Sequence, residues 1–588
     1  MHFILESISE YLKGEKSLPL CSQIVEIEKK ENLKIRIESE EYEIPFGGTL
    51  EEIAKAYQEK IGKIILGARL NNSIVELFRP IARSGEVSFI TLDSQDGLSI
   101  YQRGLFFILH ATVRKLYKNR TIKVLHSIGH GVYCEIRENG KNGKIVEPSI
   151  SDIEDIISEM NRWIEKDHKF KKSELLKSEA IELFGNTGMY DKVKLLKYRK
   201  KKTVKVYEAD NHFDYFYGYM PPSTGYLKWF KIVRYGQGFV MLLPRVVDGQ
   251  VVVPDFKPLP KLSGIFLEYS RWLEIMDIDN VGDLNEVISK GERSVNDLII
   301  LTEALHEKRI AMISEEIKKR KSVRLVLIAG PSSSGKTTFS KRLMIQLKAS
   351  GFRPITISLD DYFVDREKTP RDENGNYDFE ALEAIDVELF NENLVDLFKG
   401  KEVEIPKFDF VAGKRVRGSR LKIDRDQIII VEGIHGLNPK LTELVKENLK
   451  FKIYASALAQ LNLDNVNRLH TTDVRLFRRM VRDSKFRGHD ALSTLQMWDS
   501  VRRGEEKNIF PYQENADAMF NSALIYELPV LKIYAEPLLA VVPDNIPEST
   551  EANRLLKILD YFIPITNIED IPRTSIIREF IGRSAFRY

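Results

Sequence analysis

Cysteine is almost missing from this chain: Cys21 and Cys134 are the only two among 588 residues. Two thiols so far apart build no disulfide framework, and they fit a reducing, cytoplasmic compartment. Charge of one sign is missing too. Lysine and arginine total 89 against 86 acids, a net charge of +3. No global field therefore drives the chain onto nucleic acid, although a local patch can. No apolar run reaches transmembrane length, and Met1-His2-Phe3-Ile4-Leu5-Glu6 lacks the basic start and apolar centre of a signal peptide. No membrane contact is expected. Internal repeats and low-complexity tracts are absent as well. What is there is the composition of an ordinary globular protein, 43% hydrophobic and 30% charged, long enough for three or four domains.

The most informative stretch is Gly330-Pro331-Ser332-Ser333-Ser334-Gly335-Lys336-Thr337-Thr338, between an apolar run at 323–329 and a helical pattern at 339–347. Strand, Gly-rich turn and helix follow in the order of a phosphate-binding loop. The glycines let backbone N–H groups curl around a phosphate, and the helix N-terminus adds positive potential. Gly330, Ser332, Ser333, Ser334, Gly335, Lys336, Thr337 and Thr338 are the candidate ATP-binding residues. Lys336 can reach the β/γ-phosphates and Thr337 can ligate Mg²⁺. A serine-rich turn before a surface helix is the plainer alternative, and the agreement of three elements speaks against it.

Further on, a strand ends in Asp360-Asp361. In a parallel sheet its carboxyl end lies where such folds place ligands, so Asp360 can take a proton from an attacking hydroxyl. The alternative is an N-cap for the next helix. The apolar run at 427–431 ends in Glu432, the form of a buried parallel strand whose acid holds Mg²⁺ with Thr337. Arg475, Arg478, Arg479 and Arg482 share helical spacing, with Arg487 just beyond. They are expected to project one guanidinium face at transferring phosphates, a solvated helix face being the alternative. Gly488 ends the run and suits a hinged lid. The tail at 576–581 has an apolar face that can dock on the body.

The front half reads differently. Ile24-Val25-Glu26-Ile27 and Leu33-Lys34-Ile35-Arg36-Ile37 alternate like a hairpin, and a helix follows at 50–57 with Thr49 as N-cap. Strands are expected at 64–72 and 87–90. The pieces Ile44-Pro45-Phe46-Gly47, Ala68-Arg69-Leu70-Asn71-Asn72 and Glu76-Leu77-Phe78-Arg79-Pro80 resemble the TGS domain at the front of threonyl-tRNA synthetases, which implies an RNA or regulatory contact module. The order that follows has an amphipathic helix at 105–117, another through Ile153, Ile156, Met160 and Ile164, and a segment at 179–184. It is similar to the editing domain of threonyl- and alanyl-tRNA synthetases. That domain's His-x-x-x-His and Cys-x-x-x-His ligands fall on Phe107, Ala111, Phe216 and Met220. These side chains bind no zinc, so the resemblance implies a kept shape and a lost chemistry. His110, His126 and His130 read as core or surface histidines rather than a metal site. Lys197-Tyr198-Arg199-Lys200-Lys201-Lys202, near Tyr207, reads as a solvated basic hairpin, with RNA contact as the alternative. Residues 256–319 read as a helical connector, with a capping-box-like start at Ser294-Val295-Asn296-Asp297.

Residues 320 to about 535 resemble the uridine kinase and phosphoribulokinase family. The likeness rests on the phosphate loop, Leu359-Asp360-Asp361-Tyr362-Phe363, Asn376-Tyr377-Asp378, Ile405-Pro406-Lys407-Phe408-Asp409-Phe410, Val431-Glu432-Gly433-Ile434 and the arginine run. It implies Asp360 as base, Asp378 with Phe363, Phe408 and Arg415 on the acceptor side, and Arg479, Arg482 and Arg487 as phosphate clamps beside Lys336. Uridine kinases carry tyrosines at Phe363 and Phe408, a histidine at Gly413 and an arginine at His489. Losing those polar groups weakens discrimination of a nucleobase. The whole order is similar to a group of bacterial uridine kinase-like (nucleoside kinase) proteins. The expectation is a multidomain chain: α+β TGS-like (1–95) and editing-like (96–255) units, the connector (256–319) and an α/β kinase with a mainly parallel sheet (320–588). It would transfer a phosphoryl group from ATP, with Mg²⁺, to a small-molecule hydroxyl. The alternative is an ATP-switched RNA-binding or regulatory protein, with RNA held through residues 1–250. Oligomeric state is not readable.

Overall fold

The computed structural model describes residues 32–140, 143–372, 375–409 and 412–588. The first strand pair begins at β1 (Leu33–Ile37), whose alternate residues Leu33, Ile35 and Ile37 face inward. Its hairpin partner is β2 (Glu40–Ile44); the expected strand at 24–27 lies outside the described residues. Helix α1 (Glu51–Ile61) follows, then β3 (Ile65–Leu70), β4 (Ser73–Val75) and β5 (Gly85–Thr91), giving one sheet of order β2-β1-β5-β3-β4. Thr49 is not the cap of α1. Leu50 holds that position, because its side chain is fully buried and its N–H donates to Leu77 O at 3.0 Å. Tertiary docking sets this helix start instead of a side-chain cap.

Helix α2 (Gln95–Leu116) is capped by Ser94, which accepts the Gly97 N–H. It packs on β6 (Arg120–Ile128), which pairs with β7 (Gly131–Glu138). Helix α3 (Ile150–Lys166) starts in a Ser149–Asp152 capping box. A three-stranded sheet of β8 (Lys171–Leu176), β9 (Thr203–Ala209) and β10 (His212–Tyr215) has order β10-β9-β8, with helices α4 (Lys177–Asn186) and α5 (Tyr190–Lys197) inserted between β8 and β9. Strands β11 (Lys231–Tyr235) and β12 (Gly238–Leu242) complete a sheet of order β11-β12-β7-β6.

Three helices then lead to the phosphate loop: α6 (Pro260–Ile275), α7 (Val281–Ser289) and α8 (Glu292–Lys319). Helix α8 starts earlier than the capping-box pattern suggests. Gly291, at φ +103°, is its N-cap, and Ser294 lies inside the first turn. Beyond it come β13 (Leu325–Ala329), α9 (Lys336–Ala349), β14 (Arg353–Ser358), α10 (Val387–Phe398), β15 (Gln427–Glu432), β16 (Lys450–Ser456), α11 (Thr471–Phe486), α12 (Ala491–Asn508), β17 (Ala518–Asn521), α13 (Glu527–Ala540) and α14 (Ser549–Leu559). The sheet has order β14-β15-β13-β16-β17, and every pairing in it is parallel. Its inner strands β13 and β15 are near-continuous apolar runs, as strands covered on both faces require, while the edge strand β14 alternates. One apolar core runs from Val204 and Leu284 to Leu476 and Leu555, so the front half and the parallel sheet's helices share buried surface. Among the described residues no helix is long and apolar enough to cross a membrane.

Candidate active site at the phosphate loop

Parallel register builds the site. Ile328 and Ser358 both lie beside Glu432 across neighbouring strands, so the phosphate loop, the Asp360 turn and Glu432 emerge together at the carboxyl-end edge of the sheet. Gly330 is required there: a Cβ would stand 1.8 Å from Ala455 O. Gly335 has φ +80°, the left-handed region that favours glycine. Lys336 folds back, its Nζ donating to Pro331 O at 3.2 Å. Thr337 Oγ1 donates to Glu432 Oε1 at 3.1 Å.

Burial raises the pKa of the acids gathered here. Burial, reinforced by Asp360 and opposed by Lys336, pushes the Glu432 carboxyl up to about 7. Asp360 opens onto the cleft, yet the protein around it displaces water and raises its pKa, with Asp361 adding to the effect and Lys336, Arg487 and Arg482 opposing it. A third acid escaped the sequence reading. Burial and the neighbouring Glu505 push Glu380 up to about 7, and its Oε2 is buried without a hydrogen-bond partner. The signal, an acid two residues after Asp378, is too common to have marked it. Crowded carboxylates beside a threonine hydroxyl are a hard oxygen donor set, the kind that suits Mg²⁺.

The arginine helix does not present one face. Arg475 and Arg478 are buried supports. Arg475 makes a bidentate pair with Glu505, one arm at 2.7 Å, and donates to Ser332 O at 3.1 Å. Arg478 pairs with Glu527 and donates to Ser522 O at 2.8 Å. Arg479 and Arg482 instead reach the loop hydroxyls, Ser332 Oγ at 3.0 Å and Ser333 Oγ at 3.1 Å. Arg487 stands at the end of the helix, 3.5 Å from Asp483, and Gly488 follows at φ +68°.

On the acceptor side, the Phe363 and Phe408 rings lie 5.6 Å apart between centroids. Asp378 accepts the Glu380 N–H at 3.1 Å. Arg415 lies opposite Phe408 across a short hairpin, and its guanidinium pairs with Asp386 at 2.6 Å. Gly413 sits at φ +66°, which strains any side chain there, and a Cβ would meet the end of the Arg366 side chain at 2.7 Å, so Arg366 would have to move to admit one.

The tail also docks here. Ile576, Ile577, Phe580 and Ile581 are buried, Ile576 and Phe580 in the core under α9. Glu579 accepts both the Thr338 N–H at 3.2 Å and its Oγ1–H at 2.6 Å, and Tyr588 OH lies 2.8 Å from the same hydroxyl. A carboxylate thus takes donors that a phosphate-binding loop offers to an α/β-phosphate.

In the front half, Phe107, Ala111, Phe216 and Met220 lie together in one apolar core, with the Phe107 and Phe216 rings 6.4 Å apart. His110 is a core histidine paired with Asp214 at 2.6 Å, and burial lowers its pKa to about 4. His212 joins these two within 4.8 Å, but Lys192 already occupies Asp214 at 2.8 Å. His126 stacks on Phe266, 3.6 Å between centroids.

Fold and loop together define an α/β kinase of the phosphate-loop class. Residues 325–525 match the model of the phosphoribulokinase/uridine kinase family. Uridine kinase of Staphylococcus aureus (strain Newman) is 32% identical over 200 residues, covering 34% of this chain and 86% of that protein. The chain belongs to this family. In its N-terminal region it is also 29% identical over 195 residues, 33% of its length, to threonine–tRNA ligase of Geobacillus sp. (strain WCH70), and it spans only 29% of that ligase. A solved structure described as a possible uridine kinase from Bacillus stearothermophilus matches 36% of this chain and 97% of its own, at 18% identity and a TM-score of 0.24.

Proposed function

We propose that this kinase transfers a phosphoryl group from ATP, with Mg²⁺, to a hydroxyl of a small molecule of the nucleoside or sugar type. The observation that carries the reading is the convergence of Lys336, the Thr337–Glu432 pair, Asp360, Arg479 and Arg482 on one sheet edge. When bound, ATP supplies the phosphoryl group and Mg²⁺ neutralises its charge. Thr337 and Glu432 are the residues to hold the ion. Asp360, with its raised pKa, accepts the proton of the acceptor hydroxyl as it attacks. Lys336, Arg479 and Arg482 hold the charge that shifts toward the leaving oxygen, and Arg487 joins them from the helix end. Asp378, Phe363 and Phe408 line the acceptor side. Uridine itself is not assigned, because the aromatic pair carries no hydroxyls. In this reading 1–95, 96–255, 256–319 and 320–588 are the TGS-like, editing-like, connecting and kinase units of a cytoplasmic protein.

The experiment is ADP release from ATP and Mg²⁺ against a panel of nucleosides and sugars. Stimulation by one acceptor class supports the reading and names the substrate. A second reading is favoured by Glu579 on the Thr338 donors: nucleotide binding displaces the tail and acts as a switch, with RNA held by residues 1–250. Nucleotide binding with no acceptor-stimulated turnover would select it.

A further inference from the structure

Away from the phosphate loop, six cations meet around one cavity of about 260 Å³: Arg79, Lys172, Arg199, Lys201, Lys205 and Lys557. They come from distant parts of the chain. Arg79 follows β4, Lys172 and Lys205 lie on β8 and β9, Arg199 and Lys201 precede β9, and Lys557 lies on α14. The basic stretch that the sequence reads as a solvated hairpin therefore contributes two walls of a built cavity. Among the described residues only two carboxylates line it, Glu174 and Asp560.

The charge is not balanced from within. Lys172 is paired with the buried Glu76 beneath the cavity, and Arg199 leans on Asp560 at 3.9 Å. Arg79, Lys201, Lys205 and Lys557 form no ion pair among the described residues; Lys557 Nζ donates only to Tyr219 OH, at 3.3 Å. Tyrosine rings hold the cations in place. Lys172 and Lys557 lie 5.5 and 5.2 Å from the Tyr219 ring centre, and Arg199 lies 5.6 Å from that of Tyr561. Desolvation, with Arg79 close by, lowers the Lys205 pKa; desolvation, with Arg103, Arg79 and Arg199 nearby, lowers that of Lys557. Holding like charges together in a concavity is unfavourable unless an anion enters, and concave cationic walls focus the field onto it.

We infer that this cavity binds a ligand carrying several phosphate groups in succession, either a nucleoside polyphosphate or the backbone of a single RNA strand. A lone monovalent anion leaves most of the excess charge unmet. Phosphates matched by lysine and arginine donors form charge-assisted hydrogen bonds. Helix α14 also ties the cavity to the kinase helix. Arg554, one turn before Lys557, makes a bidentate pair with Asp473 in the first turn of α11, with arms of 2.6 and 3.0 Å. The proposal does not rest on the kinase reading, and its test removes the phosphate loop from play.

The full chain carrying Lys336→Ala is titrated calorimetrically with inorganic tripolyphosphate, with ADP and with a single-stranded RNA of about eight nucleotides. The expected result is that tripolyphosphate binds, and that at least one of the other two binds as well. Affinity falls steeply from about 50 to about 200 mM salt. Lys205→Glu and Lys557→Glu each weaken binding about tenfold or more with the melting temperature unchanged. Lys205→Gln, which removes the charge without reversing it, gives a smaller loss. Tighter binding of ADP than of RNA identifies a nucleotide site, and the reverse identifies a strand site. Absence of binding by all three anions, or binding that survives both charge reversals in a folded protein, overturns the proposal.

Discussion

Two parts of this molecule stand where ligand chemistry is expected, and they differ in what they bury. Around Lys336 the chain keeps crowded acids whose pKa burial raises, with Lys336 and Arg482 held on the loop by Pro331 O and Ser333 Oγ. Around Phe107, the four positions that the synthetase resemblance marks for metal ligands hold apolar side chains of one buried core. Buried polar groups cost stability unless a partner compensates them. Retaining the first arrangement makes sense where a charged ligand arrives, and filling the second makes sense where none does. The difference predicts how each region responds to damage.

The largest effects fall on buried groups with no ligand to replace. Phe107→Ala opens a cavity in the front core and is expected to cost about 3–5 kcal/mol, read as a lowered unfolding midpoint with nucleotide binding intact. Arg475→Ala leaves Glu505 buried and unpaired, a loss of about 3–5 kcal/mol. Arg479→Ala, one turn along the same helix, should leave the melting temperature in place and lower kcat. Equal loss of stability in both arginine variants would erase the distinction between support and clamp.

That distinction shows where the sequence stops being legible. Strand, loop and helix around Gly330 are local, and their pattern alone places Lys336 and Thr337. The parallel sheet follows from apolar runs that end in Asp360 and Glu432. The division of the arginines depends on Glu505 and Glu527, which reach α11 from separate helices, and no spacing within 475–482 encodes it. Glu579 is hidden for the same reason: its partner Thr338 is 241 residues away. The start of α1 at Leu50 is likewise set by Leu77, a tertiary contact. That Phe107 and Phe216 can ligate no metal is legible in the side chains themselves; that they meet in one buried core is set by the fold.

Smaller effects sharpen the comparison at the loop. Glu579→Gln weakens the tail's hold on Thr338 and should tighten nucleotide binding about tenfold, the scale of one charge-assisted hydrogen bond, as measured by titration; unchanged affinity would mean that the tail contact does not compete. The smallest is a pH effect. Glu432 is raised to about 7 in the fold, so its contribution to stability is present below its unfolded value, roughly 4.3, and is lost as pH rises through about 7. Glu432→Gln should therefore raise the melting temperature of the ligand-free protein at pH about 8 and leave it nearly unchanged at pH about 4. Added Mg²⁺ should stabilise the wild-type chain more at the higher pH.

If the polar edge around Lys336 performs chemistry beyond holding a nucleotide, turnover depends on Asp360 while nucleotide binding does not. Asp360→Asn tests it most directly when nucleotide affinity and acceptor-dependent turnover are measured on the same preparation. Nucleotide affinity is expected to stay within about twofold of wild type, with turnover reduced by about 10² to 10⁴. Turnover at the wild-type rate in a chain that binds nucleotide normally would contradict it.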